Sequence, residues 1–172
     1  MRSSYGLTLL ELLITISITT LVLTLGVPAV LAVQKNMQLK GAVEVSYFAF
    51  QQARATAVAT RQNIHVALNA SKNWCIALSD IGLCDCTVYA ECAVEGQEQI
   101  IQHSDFHLIE LRDIKFGTDN VAVFDGVRGL AIGNAGSVVF SDGDKQVKLI
   151  LSNMGRIRIC MMAGNLGGYD PC

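Results

Sequence analysis

The sequence predicts an α+β protein in which one long N-terminal α-helix packs on a C-terminal antiparallel β-sheet or small sandwich. Two observations support this fold class. The chain opens with an apolar run that passes into a segment with helical periodicity, and the residues beyond 61 form short alternating stretches separated by turn residues. Because the single helix precedes all the strands, the helix and the sheet are expected to form separate layers, as in α+β proteins.

The first helical segment is the apolar run at residues 7–33, LTLLELLITISITTLVLTLGVPAVLAV, which contains one formal charge, Glu11. About 20 apolar residues are enough to cross the hydrocarbon core of a bilayer, so this run is predicted to span a membrane. A carboxylate inside such a span costs at least ~2.5 kcal/mol by insertion scales. Glu11 is therefore a candidate functional residue, the alternative being a carboxylate that reaches the membrane surface.

The second helical segment covers residues 34–61 and is amphipathic. Small and apolar residues recur at positions 39, 42, 45/46, 49, 53 and 57, which is the spacing of one helix face. We therefore predict a single helix from about residue 7 to about residue 61, roughly 80 Å long. Gly26 and Pro28 mark its expected weak point, because proline removes an intrahelical hydrogen bond.

Residues 62–172 are predicted to form one β-rich globular domain. The candidate strands are 63–69, 74–79, 99–103, 106–111, 121–124, 136–141, 147–152 and 156–162. Short alternating runs bounded by Gly, Asn, Asp and Ser clusters are typical of antiparallel strands joined by hairpins.

Six cysteines lie beyond the apolar run, and an even number in an exported domain indicates disulfides. Cys160 and Cys172 bracket a Gly-rich tail, so a bridge between them would hold the C-terminus and contribute roughly 3 kcal/mol. The other four, Cys75, Cys84, Cys86 and Cys92, allow three pairings, and the sequence does not choose among them. A zinc site is disfavoured because paired C-x-x-C ligand spacing is missing from the sequence. We expect neither a metal nor a cofactor.

Charge is segregated along the chain, although the formal net charge is only −2. Residues 74–105 contain six acids and no Lys or Arg, whereas residues 145–158 contain four bases and no acid. Net charge of this sign does not attract nucleic acid, so only a local basic patch can bind it.

The basic block is predicted to be a β-hairpin whose tight turn ends at Gly155. Arg156 and Arg158 would share one face of the second strand, with Lys145 and Lys148 on the partner strand. Guanidinium groups make bidentate contacts with phosphate. Such a hairpin can hold a nucleic-acid backbone without reading bases.

The start of the chain resembles the prepilin signal of type IV pilins and type II secretion pseudopilins. The resemblance rests on the leader MRSSYG and the string Gly6-Leu7-Thr8-Leu9-Leu10-Glu11-Leu12, although Leu7 stands where the family usually has Phe. It implies a leader at residues 1–6, cleavage between Gly6 and Leu7 by a prepilin peptidase, and methylation of the new N-terminus. It also implies an assembly role for Glu11, which would pair with the N-terminal amine of a neighbouring subunit. The expected location is the inner membrane with a periplasmic domain, and then an extracellular pilus with other major and minor pilins.

The string Gly155-Arg156-Ile157-Arg158 is similar to the G-R-x-R motif of FimT-type minor pilins within the FimT/GspH group. The resemblance implies a type IV pilin-like fold and sequence-independent DNA binding during natural transformation. It assigns the DNA contacts to Arg156 and Arg158, and we add Lys145 and Lys148 on proximity alone.

Two other function classes remain open at this stage. The chain can instead be a minor pilin or type II secretion pseudopilin with a structural or assembly role and no DNA binding. A membrane-anchored exported enzyme is disfavoured, because the sequence has no G-x-S-x-G, H-E-x-x-H or P-loop string. The three histidines, His65, His103 and His107, are scattered over predicted strands. We therefore expect no enzymatic activity.

Overall fold

In a computed structural model of the chain, residues 8–117 and 119–172 are described, and the predicted leader and its cleavage site at Gly6 and Leu7 lie outside them. Helix α1 comprises Leu9–Thr60 and continues through Pro28. The chain divides into two compact units, one ending at Lys35 and the other comprising Asn36–Cys172. The two units differ in how far their side chains are buried.

The N-terminal unit is an apolar helical segment whose described side chains are almost all exposed, as in Leu9 at 78%. Its hydroxyl groups donate to helix carbonyls three or four residues earlier, as Ser17 Oγ does to Leu13 at 2.8 Å. These bonds satisfy the polar groups without water. Of the described residues, only α1 contains a stretch with the length and hydropathy of a membrane span, which is a statement about composition alone.

The second unit begins with the amphipathic part of α1, which buries one stripe of side chains. The stripe comprises Leu39, Ala42, Val43, Ser46, Phe50, Ala53 and Ala57. These positions recur every three or four residues, so they lie on one face of the helix. The predicted positions 39, 42, 46, 53 and 57 belong to this stripe, whereas Val45 is 43% exposed, and Phe50 rather than Ala49 is buried. The Ser46 hydroxyl donates to the Ala42 carbonyl at 2.7 Å and is therefore satisfied inside the core.

Ten strands follow the helix and form two four-stranded antiparallel sheets and one small hairpin. The strands are β1 Ile64–Asn69, β2 Cys75–Ser79, β3 Ala93–Val94, β4 Gln97–Glu98, β5 Ile100–Gln102, β6 Glu110–Phe116, β7 Val121–Phe124, β8 Gly136–Ser141, β9 Gln146–Leu151 and β10 Ile157–Ala163. The first sheet has the order β5-β2-β1-β7, the second has β10-β9-β8-β6, and β3 pairs with β4. The predicted α+β class, a long helix followed by antiparallel sheets, is confirmed.

One hydrophobic core joins the stripe of α1 to the inward faces of both sheets. Val66 and Ile76 enter it from the first sheet, and Phe140 and Leu149 enter it from the second. Trp74 closes one end, and its indole Nε1 donates to the Ile109 carbonyl at 2.6 Å. Burial of these apolar side chains is the main contribution to the folding free energy of the second unit.

The outer face of the first sheet is covered by a loop that two disulfides hold in place. Cys75 is bonded to Cys86, and Cys84 is bonded to Cys92. Cys75, Ala77, Cys86 and Cys92 form a second small buried cluster there, and consequently every residue of β2 is buried. The third disulfide joins Cys160 to Cys172 and holds the C-terminal tail beside β10, where Met161 forms a bridge with Pro171.

The strand predicted at residues 106–111 is wrong for most of its length. Residues 103–105 form a 3-10 turn, the Ile109 N–H donates to the Phe106 carbonyl at 2.9 Å, and β6 begins only at Glu110. The β6 strand also contains a bulge, because Arg112 pairs with Val139 whereas Lys115 pairs with Ser137. The extra residue hides the two-residue alternation on which a strand prediction depends. The short strands β3 and β4 were not predicted either.

Candidate nucleic-acid interface

The predicted basic hairpin is present as β9, β10 and the turn between them. The Gly155 N–H donates to the Ser152 carbonyl at 2.9 Å, and the Ser152 N–H donates to the Arg156 carbonyl at 3.0 Å. The Ser152 hydroxyl accepts the Arg156 N–H at 3.2 Å. The backbone on either side of Arg156 is therefore fixed by hydrogen bonds.

Gly155 is required at this turn for two independent reasons. Its φ is +72°, a conformation that costs an L-residue with a side chain roughly 1–2 kcal/mol. A Cβ at this position would also lie 2.1 Å from the carbonyl oxygen of Gly129, which is closer than any real contact. The turn is thus packed directly against the backbone of a second loop.

Arg156 and Arg158 are both exposed, whereas Ile157 between them is buried. Arg158 pairs with Ile150 in the β9–β10 register. Within residues 8–117 and 119–172, neither guanidinium has an ion-pair or hydrogen-bond partner. Two unneutralised guanidinium groups therefore stand beside a rigid turn.

The two lysines of the predicted patch lie at different places. Lys148 pairs with Cys160 in β10 and is half-buried, so it shares a sheet face with Arg158. Lys145 precedes β9 at the end of the hairpin remote from the turn, and its ammonium donates to the side chain of Asn36 on α1. The structure therefore brings Lys148 near the two arginines and places Lys145 away from them.

The loop against the turn comprises residues 125–131 and is ordered by the carboxylate of Asp125. This carboxylate accepts the backbone N–H groups of Val127, Arg128 and Leu130 at 2.7–2.9 Å. The Arg128 N–H contributes most to lowering the pKa of Asp125, with burial opposing it and the Arg128 charge adding a smaller effect. The loop is joined to the hairpin, since the Ala131 N–H donates to the Asn153 carbonyl at 2.9 Å.

Two arginines at this end of the domain were not predicted from the sequence. Arg128 is exposed on the loop that packs against the turn. Arg54, on α1, donates from Nε to the Gly129 carbonyl at 3.1 Å, and this is the same oxygen that faces Gly155. The loop itself contains a sequence signal for a turn, the pair Asp125-Gly126. The contacts between residues 54, 129 and 155 depend on tertiary packing and therefore cannot be predicted from a local sequence pattern.

The remaining predicted residues are placed as follows. Glu11 lies in the first turn of α1, and its backbone N–H donates to the Thr8 hydroxyl at 3.3 Å, which caps the helix. The predicted pair Cys160 and Cys172 is bonded. His65 is half-buried on β1 with an unpartnered Nδ1, and burial lowers the pKa of its imidazole.

The comparisons with known proteins concern most of the second unit. The sequence model of the family described as type II transport protein GspH matches residues 47–155, which extend from α1 to Gly155. No curated protein matches the chain significantly.

Two solved structures are similar to this chain, both of the type IV minor pilin FimU from Pseudomonas aeruginosa strain PAO1, in different crystal forms. They share 17% and 18% sequence identity with it, and the TM-score is 0.48 for each. Each covers 70% of this chain, and the matched region is 90% or 87% of the FimU chain.

Proposed function

The chain belongs to the GspH family of type II transport proteins, and we propose that it is a minor pilin that binds DNA. The binding is independent of sequence, takes place at the turn Gly155–Arg158, and serves DNA uptake in natural transformation. The observation that carries the proposal is the pair of exposed guanidinium groups of Arg156 and Arg158, which have no partner in the described part of the chain.

The geometry of the turn suits phosphate rather than base recognition. A guanidinium offers two parallel N–H donors, which match two phosphate oxygens. A hairpin with two such groups contacts the backbone of any sequence, and its affinity comes largely from released counterions. A weak site in each subunit is sufficient when several subunits act together in one fibre.

The N-terminal unit supplies the proposed assembly function. The apolar segment anchors the subunit in the inner membrane before a prepilin peptidase cleaves between Gly6 and Leu7. In the fibre, Glu11 pairs with the methylated N-terminal amine of a neighbouring pilin, and this pairing offsets the cost of its burial.

DNA binding can be tested with the whole chain in a neutral detergent. A fluorescent duplex of random sequence is titrated at NaCl concentrations from 50 to 200 mM. For R156Q/R158Q we expect at least tenfold weaker binding at 50 mM and a log–log salt slope smaller by about 1.8, because two phosphate contacts are lost. The matched control is K40Q/K72Q, which removes two charges from exposed lysines elsewhere in the domain.

Equal weakening in R156Q/R158Q and K40Q/K72Q would mean that net charge, rather than the turn, decides binding. No binding by the unaltered chain at 50 mM NaCl would favour the second candidate function, a minor pilin or secretion pseudopilin with only an assembly role. The type II transport description of the matching family is the observation that favours this second candidate.

A further inference from the structure

We infer that the DNA-binding surface extends from the turn across all four strands of the second sheet, as a band of cations that favours duplex DNA over single strands. The band is formed by Arg158, Lys148 and Lys115. This inference rests on the proposed DNA binding; it retains Lys148, adds Lys115 as a contact residue, and specifies the form of DNA that is bound.

Strand register places these residues on one face of the sheet. Residues paired across antiparallel strands point to the same face. From β10 to β6, two adjacent rows read Arg158, Ile150, Ser137 and Lys115, and then Cys160, Lys148, Val139 and Arg112. The opposite face carries the core residues of the same strands, such as Leu149 and Phe140. The two rows therefore lie on the outer face.

The bulge in β6 is the reason that Lys115 belongs to this face. In an unbroken strand, residues 112 and 115 point to opposite faces, because their separation is odd. Asp113, with a φ of +47°, occupies the bulge, and pairing resumes with Lys115 opposite Ser137. Burial agrees with this register, since Leu111 and Phe116 are buried whereas Lys115 is exposed.

The dimensions of the band suit an extended, rigid polyanion. Arg158 and Lys115 are on the two edge strands, so their backbones are separated by three strand spacings, or about 14 Å. Lys148 lies one row away, about 6.6 Å along the strand direction. The other positions of the two rows, apart from Arg112, are uncharged, namely Ile150, Ser137, Val139 and Cys160, and Val139 and Cys160 are buried.

Lys115 and Lys148 are unpaired among the described residues, whereas Arg112 is already neutralised. Arg112 donates to Glu110 from both Nε and Nη2, at 3.1 and 2.6 Å. Arg112 therefore marks the edge of the band and is not counted as a phosphate contact. Three free cations and the guanidinium of Arg156 at the turn remain for the DNA backbone.

The described part of this face lacks the feature that single-strand binding requires. Proteins that hold single strands stack bases on exposed aromatic rings, which contribute ~1–3 kcal/mol per base. The exposed aromatic side chains of the described residues are Phe48 and Tyr89. Phe48 lies beside Leu78 at the first sheet, and Tyr89 is in the loop bounded by Cys84 and Cys92. Phosphate contacts alone favour the duplex, which has the higher charge density.

The test uses K115Q and K148Q in the whole detergent-solubilised chain. The control is K72Q, which removes the charge of an exposed lysine on the β1–β2 loop. Each of the two band variants is expected to bind a 30-base-pair duplex at least threefold more weakly at 50 mM NaCl. The salt slope should fall by about 0.9 for each. The unaltered chain is expected to bind the duplex more tightly than a 30-nucleotide single strand of the same sequence.

A charge-reversal variant, K115E, and thermal unfolding of every variant keep the result interpretable, because an exposed lysine can be replaced without loss of the fold. If R156Q/R158Q weakens binding while K115Q, K115E and K148Q match K72Q, the band is overturned and the proposed function stands. Tighter binding of the single strand would overturn the duplex preference. If the unaltered chain binds no DNA, the band and the proposed function both fail.

Discussion

At the scale of single residues, the site depends on glycine as much as on arginine. Gly155 gives the turn its positive φ and leaves room for the carbonyl of Gly129. Arg156 then follows with its backbone N–H held by Ser152. The G-R-x-R string thus has a steric reason for its first residue and a chemical reason for its second and fourth.

We predict that G155A destabilises the domain more than G143A does. Both positions have positive φ, but a Cβ at Gly143 meets nothing within 4 Å, whereas one at Gly155 lies 2.1 Å from a carbonyl oxygen. Overpacking of this kind costs ~1–3 kcal/mol beyond the conformational term. Urea unfolding of the two variants measures the difference, and equal midpoints would show that the contact with Gly129 is unimportant.

At the scale of elements, the turn, the loop at 125–131 and helix α1 form one connected support. The Asp125 carboxylate orders the loop, and the Arg54 guanidinium fixes the loop to α1. The two exposed arginines therefore stand on backbone that is held from two sides. Such preorganisation lowers the ordering cost of each phosphate contact.

Arg54 is predicted to position the turn rather than contact DNA, and R54K and R54Q together separate the two roles. Lysine keeps the positive charge but lacks the Nε–H that reaches the Gly129 carbonyl at 3.1 Å. We expect a loss of about 1.5–3 kcal/mol in the free energy of unfolding, since a charged group's hydrogen bond is removed. DNA affinity should fall because the turn loosens, with an unchanged salt slope. In R54Q, which also removes the charge, a slope smaller by about 0.9 would instead identify Arg54 as a phosphate contact.

The sequence was informative wherever one periodicity persisted. The α1 bounds, Leu9–Thr60, are within two residues of the predicted ones, and β7 and β8 coincide with theirs. It failed at β6, because the bulge at Asp113 interrupts the alternation, and at β3 and β4, which have two residues each.

In the candidate site, too, the features set by local sequence patterns could be predicted, whereas those set by tertiary contacts could not. The turn and the exposure of Arg156 and Arg158 follow from local patterns, namely glycine at a turn and alternation along a strand. Arg54 and Lys115 could not be found in this way, because they reach the site through tertiary contact and through a register shift. Proximity in sequence also misplaced Lys145, whose ammonium bonds to Asn36.

At the scale of the whole molecule, the acids of residues 74–105 and the cations of the band lie in different parts of one domain. The six acids between residues 74 and 105 lie in the β3–β4 hairpin, in the disulfide-held loop that covers the first sheet, or next to β2 and β5 of that sheet. The cations of the band belong to the second sheet. A polyanion is therefore attracted to one face and repelled by another, although the net charge is −2.

The division into two compact units predicts that assembly and DNA binding can be lost separately, and E11Q tests this. The substitution removes the charge of Glu11 but keeps the backbone N–H that donates to Thr8, so the helix cap is retained. If Glu11 pairs with a neighbour's N-terminal amine in the fibre, its loss leaves that amine unpaired, at a cost of ~3–5 kcal/mol. We expect much less E11Q than unaltered chain in sheared surface fibres, and an unchanged duplex affinity for the purified E11Q chain.

R156Q/R158Q should show the reverse, with normal incorporation into fibres and weak DNA binding. Normal incorporation of E11Q would remove the proposed pairing, and weaker DNA binding by E11Q would show that the two functions are not separable.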